Sequence, residues 1–295
     1  MVTAKHCELR FLAEIDAANP RFSPLRAALA LGQAADTECL PSAVLLPLLQ
    51  GLPELDGRLG ALGKPYQKFE ALSSYFFETL AFRAAPENDA GLAAVDLHAV
   101  TARRCGRPLS LALLYYELAR RLAFPLRPLA LPGGVLLGSH WLPRGQVLDP
   151  ADGALLPLAA ARHRVNLLLT GRRLAFQPER LLPLSARQLL ERYLQAMRAA
   201  YLAEGRDDDA LRAADWRVRL APQSAAARWD RGLLLYAMNR YAEADLDLGG
   251  LLSRTGHRAP EAGDPREDRA EVNRLLASLG DSCGGRPLDS EAPMA

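Results

Sequence analysis

Residues 108–123, PLSLALLYYELARRLA, carry apolar side chains all round a helix: Leu109, Leu113, Tyr116 and Arg120 lie on one side, and Leu111, Leu114 and Leu118 line another. A helix without a polar face must be buried, so this segment reads as the central helix of its domain. Before it, from about residue 23 to 104, the pattern is mostly helical. Ser23 stands where an N-cap belongs, with Pro24 at the first helical position. Phe69, Leu72, Phe76 and Leu80 recur at helical spacing. After Pro125 the character changes to short apolar runs broken by Pro-Gly, Pro-Arg-Gly and Asp-Pro-Ala-Asp-Gly, which predicts two or three short strands joined by turns. Helices followed by a small sheet, without βαβ alternation, give an α+β class that is mainly helical, with a small antiparallel sheet.

Beyond about residue 185 the helical period returns with a longer repeat superimposed. Tyr201 and Leu235, Ala210 and Ala244, and Pro222 and Gly256 are each 34 residues apart. Each half reads as helix, short polar turn, helix, which is the tetratricopeptide period. Two such repeats are too few to stand alone, so they are expected to lean on the first domain. The expected organisation is therefore residues 1–184 as one domain and 185–280 as an α-helical repeat domain, closed by the helix RAEVNRLLASL. Residues 281–295, rich in Gly, Pro and Ser, are expected to be a disordered tail.

Composition excludes several function classes. Apolar residues make up 49% of the chain, charged residues 24%, and the formal net charge is +2. With no basic stripe or helix-turn-helix signature, no nucleic-acid partner is expected. Cys7, Cys39, Cys105 and Cys283 are scattered and include no CxxC pair, so neither a zinc site nor a disulfide framework is expected. No metal or cofactor is implied. The first residues, MVTAKHCELRFLAEIDAANP, carry acids where a signal peptide needs a bare apolar run, and no apolar stretch reaches membrane-spanning length. A cytoplasmic location without membrane association is the expectation.

The question of chemistry centres on RRCGRPLSLALLYYELARRLAFPL, because thiol enzymes place a nucleophile at a helix start, where the partial positive charge favours the thiolate. This stretch, with the following LRPLALPGG and VLDPADG, resembles a bacterial family described as regulators of sirC expression, which joins a transglutaminase-like core to C-terminal tetratricopeptide repeats. Gly106, Pro108, Ser110, Leu111, Pro125, Pro132, Gly133, Leu136, Asp149 and Pro150 fit its pattern, and WDRGLLLYAMNRYAEADLDL resembles its downstream segment. The similarity covers roughly residues 70 to 280. It implies a papain-like α+β core in which active members use a Cys at the helix start, a His and an Asp.

Carried over position by position, the nucleophile slot falls near Pro108–Ser110 and holds no Cys. The His slot falls on Gly134, and Asp149 keeps the third position. A serine needs a base within reach, so the expected role of Ser110 is a hydroxyl bonded to free N–H groups of the helix start. Asp149 is expected to cap the turn that Pro150 begins. A shifted site built from Cys105 or Ser110 with His140 and Asp149 is the enzymatic alternative, a thiol or serine acyl-transfer hydrolase. His140 lies six residues beyond Gly134, so it would reach only if the chain folded back. The favoured expectation is a non-catalytic module binding a protein or peptide. Tyr193, Arg198, Tyr201, Trp216, Arg217, Arg228 and Trp229 are the candidate residues of the concave face.

Overall fold

The computed structural model describes residues 3–86, 89, 91–131, 134–158, 160 and 182–252. The chain divides into two compact units, Met1–Ala227 and Arg228–Ala295. The expected closing helix and C-terminal tail lie outside the described residues.

The first unit begins with a helical pair, α1 (Ala4–Ile15) and α2 (Pro24–Ala35). Ser23 caps α2 as the sequence predicts, its hydroxyl accepting from the Arg26 N–H at 3.1 Å with Pro24 in the first turn. Almost every residue of α2 is buried, because α1, α3 (Pro41–Leu49), α6 (Leu97–Arg103), α7 (Pro108–Arg121) and α8 (Ala186–Ala203) all pack on it. Helices α4 (Leu52–Ala61) and α5 (Pro65–Ser74) follow α3, and α5 runs on into a π-helical turn, Tyr75–Thr79. The wider turn gathers an aromatic cluster. Phe76 stands 5.2 Å from Tyr115 of α7 and 4.7 Å from Phe82, ring centre to ring centre.

Two-residue strands β1 (Arg83–Ala84) and β2 (Cys105–Gly106) pair in parallel and lead into α7. From Leu111 to Leu114 every residue of α7 is fully buried, so it is the central helix its sequence requires. Leu122–Phe124 reverse the chain, and β3 (Leu126–Leu131), β4 (Gly134–Ser139), β5 (Gln146–Leu148) and β6 (Leu155–Pro157) form an antiparallel meander in that order. Four short strands thus stand where two or three were expected. The outer edge of β3 is covered. Leu184 donates to the Pro128 carbonyl at 2.7 Å, and Ala130 donates to the Leu182 carbonyl at 3.0 Å.

Helix α8 and α9 (Asp207–Leu220) form a hairpin that belongs to the first unit. It packs on α2 and α7, and Phe11 of α1 stacks on Trp216 of α9 at 4.4 Å. The first compact unit thus runs through Ala227 and includes this hairpin, the apolar face of α8 (Leu189, Leu190, Tyr193, Leu194, Met197) being buried within it.

Helix α10 (Ala225–Ala237) starts at the end of the first unit, and with α11 (Tyr241–Leu252) it forms a second hairpin. Its inner face holds Leu234, Leu235, Ala244 and Leu248, with buried Asp247 paired to Arg231 at 2.6 Å. The two hairpins match at a 34-residue offset. Gly205 (φ 69°) and Asn239 (φ 62°) make the two left-handed turns, and Arg206 and Arg240 each donate to a carbonyl, of Tyr201 and Leu235 respectively, at 2.9 Å.

Candidate functional site

The start of α7 is where the sequence resemblance places a nucleophile. Arg107 precedes it without a side-chain cap, and Ser110 sits in the first turn, fully buried. Its hydroxyl does not accept from the helix N–H groups as expected. It donates at 2.7 Å to the carbonyl of Val95, in the segment that leads into α6. A carbonyl oxygen cannot take up a proton near neutral pH, so this hydrogen bond orders the helix start and activates nothing.

Cys105 is built into β2 and 8% exposed, its thiol directed at the Ala84 carbonyl 3.6 Å away. The same Ala84 donates through its N–H to the carbonyl of Ala151 at 2.9 Å. Strand β1 therefore brings Cys105 close to the Asp149–Gly153 turn. Asp149 is buried and accepts from the Ala151 N–H at 2.8 Å, while its backbone bonds Gly153 and Ala154. The turn chemistry expected of Asp-Pro-Ala-Asp-Gly is what these bonds display. Gly153 (φ 76°) lets the turn lie flat on the π-helical segment, since a Cβ there would come within 2.5 Å of Phe77.

The base of the shifted site is not brought to this place. Strand β3 runs back along α7, and β4 is paired with it without interruption from Gly134 to Ser139, so His140 returns to the C-terminal end of α7. The neighbouring Trp141 packs on Phe124 at 4.9 Å, just past that end, and the exposed His140 ring stands 6.3 Å from Trp141. Ser110 lies about 18 Å back along the helix axis. The hairpin turn at 140–145 reverses the chain into β5, where Leu148 pairs with Leu137 of β4, and His140 stays in the turn itself.

Gly134, the expected histidine position, opens β4. Its carbonyl and that of Leu131 both accept from Arg192 of α8, at 3.1 and 3.0 Å. Burial draws the Arg192 guanidinium below its usual range, so these carbonyl contacts compensate lost solvent. Sequence reading missed Arg192, since nothing local links a helix residue to a hairpin 58 positions earlier.

The candidate concave face also changes. Tyr193, Tyr201, Trp216 and Arg217 are 1, 2, 2 and 5% exposed, so they are core residues of the first unit and not a docking face. Trp216 is covered by Phe11, and Arg217 is paired with Glu191 at 3.4 Å. Arg198 is half-buried on α8, and Arg228 and Trp229 are half-buried on α10 in the second unit.

A second concavity had no sequence signature. A cavity of about 260 Å³ opens between the C-terminal end of α2, residues 92–96, and the turn joining α8 to α9. Asp36, Cys39, Asp96, Tyr201, Glu204 and Arg206 line it. The chain contributes them from segments far apart in sequence, so no motif spacing could have revealed it.

A mainly helical α+β core with a buried helix packed on a small antiparallel meander is the class that these elements define. A family model described as the transglutaminase-like superfamily matches residues 44–195, and the chain belongs to that superfamily. Similar proteins are bacterial. A UPF0162 protein of Xylella fastidiosa (strain 9a5c) is 33% identical over 188 residues, 61% of this chain and 66% of its own length. One of Pseudomonas aeruginosa is 34% identical, over 56% of this chain and 64% of its own length. One of Vibrio cholerae is 27% identical over 70% and 77%. The chain thus spans just under two thirds of the first relatives' length. A solved structure of menin, described as revealing the binding site for Mixed Lineage Leukemia protein, aligns over 98% of this chain and 79% of that one. At 12% identity and a TM-score of 0.39 it carries no argument. Among the described residues, no helix is long and apolar enough to cross a membrane.

Proposed function

We propose that this chain is a non-catalytic transglutaminase-like protein that acts as a protein-interaction or regulatory module, with its helical hairpins as tetratricopeptide-type repeats. The observation that carries the reading is the state of Ser110. The nucleophile slot holds a fully buried hydroxyl whose proton goes to the Val95 carbonyl. The position of His140 at the opposite end of α7 supports it further, since that imidazole does not reach the slot. The 34-residue match of the two hairpins favours the repeat assignment, and the resemblance to the sirC-regulator family gives the regulatory expectation.

The test is covalent labelling of the native full-length chain with a fluorophosphonate and with iodoacetamide, read by intact mass and peptide mapping. Ser110 stays unlabelled, and Cys105 reacts only after denaturation. Stoichiometric native labelling of either residue that His140→Ala abolishes would instead establish the hydrolase. The interaction reading is checked by capture from the host lysate: a partner retained by the full chain and lost from a fragment ending at residue 227 locates binding in the second hairpin.

A further inference from the structure

Helix α3, PSAVLLPLL, has no charged side chain on any face, a pattern that calls for burial as in α7. It packs on α2, α6 and α7, yet of its nine residues only Val44 and Leu48 are buried. Leu46 is 67% exposed, and Leu40, at the N-cap, 50%. With the exposed Ala43 they recur three residues apart and form one outward stripe. Leu45, Pro47 and Leu49 are half-buried beside it. A single exposed leucine is ordinary, but a contiguous apolar stripe on a helix without a polar face marks a contact surface.

The stripe is uncharged and its two ends are acidic. No charged residue occurs between Glu38 and Glu54. Asp36 and Glu38 lie exposed before α3, and Glu54 and Asp56 lie exposed at the start of α4. Residues 36–58 hold these four acids and one base, Arg58, in a chain whose formal net charge is +2. Glu54 stands near the C-terminal end of α3. Tyr75 donates there to the Leu48 carbonyl at 3.4 Å. Its phenol is pushed up first by burial, with the Gly51 backbone and Arg104 opposing and Glu54 adding to the shift.

These charges decide among occupants. In a two-fold contact between copies of the chain, parallel or antiparallel along α3, each acidic end meets an acidic end. An anionic membrane surface is repelled by the same acids. A helix whose apolar stripe is bracketed by arginine or lysine satisfies both the stripe and its ends.

We infer that α3 is a docking surface for a basic amphipathic helix of another protein. The partner's apolar stripe is set on Leu40, Ala43 and Leu46, and its basic flanks meet Glu38 at one end and Glu54 at the other. Helix α3 spans about 14 Å, so two to three turns of the partner cover it. The surface belongs to the first unit, whereas the hairpin α10–α11 lies almost wholly in the second. The two readings therefore fail separately: a captured partner that survives truncation at residue 227 counts against the hairpin and leaves the α3 surface standing.

Fluorescence anisotropy of the full chain with two synthetic helical peptides tests the surface. One carries a leucine stripe bracketed by arginines, the other the same stripe bracketed by glutamates. Saturable binding of the arginine peptide, about tenfold tighter than the glutamate peptide at low salt, supports the proposal. Leu46→Gln weakens that binding about tenfold with the unfolding temperature unchanged, because this side chain already faces water. Glu38→Gln combined with Glu54→Gln narrows the difference between the peptides to about threefold. Leu9→Gln, at a comparably exposed leucine of α1 (57%), leaves binding as it was. No saturable binding, equal binding of the two peptides, or equal losses from Leu9→Gln and Leu46→Gln would overturn the proposal. Self-association of the full chain that Leu46→Gln abolishes would overturn it too, by giving the face to a second copy.

Discussion

A carboxylate with no exposed surface sits in the buried central helix α7. Glu117 accepts from Ser23 Oγ at 2.9 Å, from Arg120 at 3.2 and 2.9 Å, and from Arg121 at 2.8 Å, so its lone pairs are fully used. Glu117→Ala leaves the buried Ser23 hydroxyl without its acceptor and two guanidiniums unpaired. A loss of about 3 kcal/mol is expected in urea unfolding, and Glu117→Gln, which keeps an acceptor for Ser23, loses about half of that. The polar position on α7 is visible in sequence, but its partner 94 residues away is not. Cys39 gives a second test at this scale. With its thiol raised from 9.0 to about 11, alkylation at pH 8 runs roughly a hundredfold slower than at an unperturbed thiol. Asp36→Asn removes a negative neighbour, lowers the thiol pKa and speeds the reaction; an unchanged rate would show that burial alone sets it.

At the scale of elements, what could be read from sequence was what local periodicity encodes. The apolar helix α7 and the cap at Ser23 both depend on spacing within a few turns of chain. What could not be read was which neighbour covers a given face. Tyr193, Tyr201 and Trp216 look like a ligand-facing stripe because their apolar cover comes from α1, α2 and α7, distant in sequence. Likewise, β3 and β4 are legible as short apolar runs, whereas the clasp of Arg192 on their ends is not. Tight approaches are a further invisible constraint. Gly153→Ala forces a side chain into a left-handed turn and against the Phe77 ring, and should cost about 2–3 kcal/mol in thermal or urea unfolding. In the second hairpin, Gly232 admits Leu248, whose Cγ would lie 2.6 Å from an added Cβ. Gly232→Ala should unfold that hairpin at lower denaturant and leave the rest of the chain unaffected, seen as an earlier separate transition.

For the whole molecule, the unit boundary yields a direct test by truncation. A fragment of residues 1–184 loses α8 and with it the cover of α2 and α7. It should be aggregated or without a cooperative transition in urea. A fragment of residues 1–227 keeps that cover and should unfold cooperatively, and failure of the second fragment alone would refute the boundary at Ala227. The expected boundary at 184 rests on a change of composition and periodicity, and the two fragments decide between it and Ala227. The way β3 is closed has a consequence for synthesis. Its free edge is occupied by residues 182–184, more than fifty positions downstream. A nascent chain leaving the ribosome therefore carries the meander with one open edge for several seconds of elongation. During that interval, chaperone protection, rather than the final stability of the protein, governs how much of it escapes aggregation.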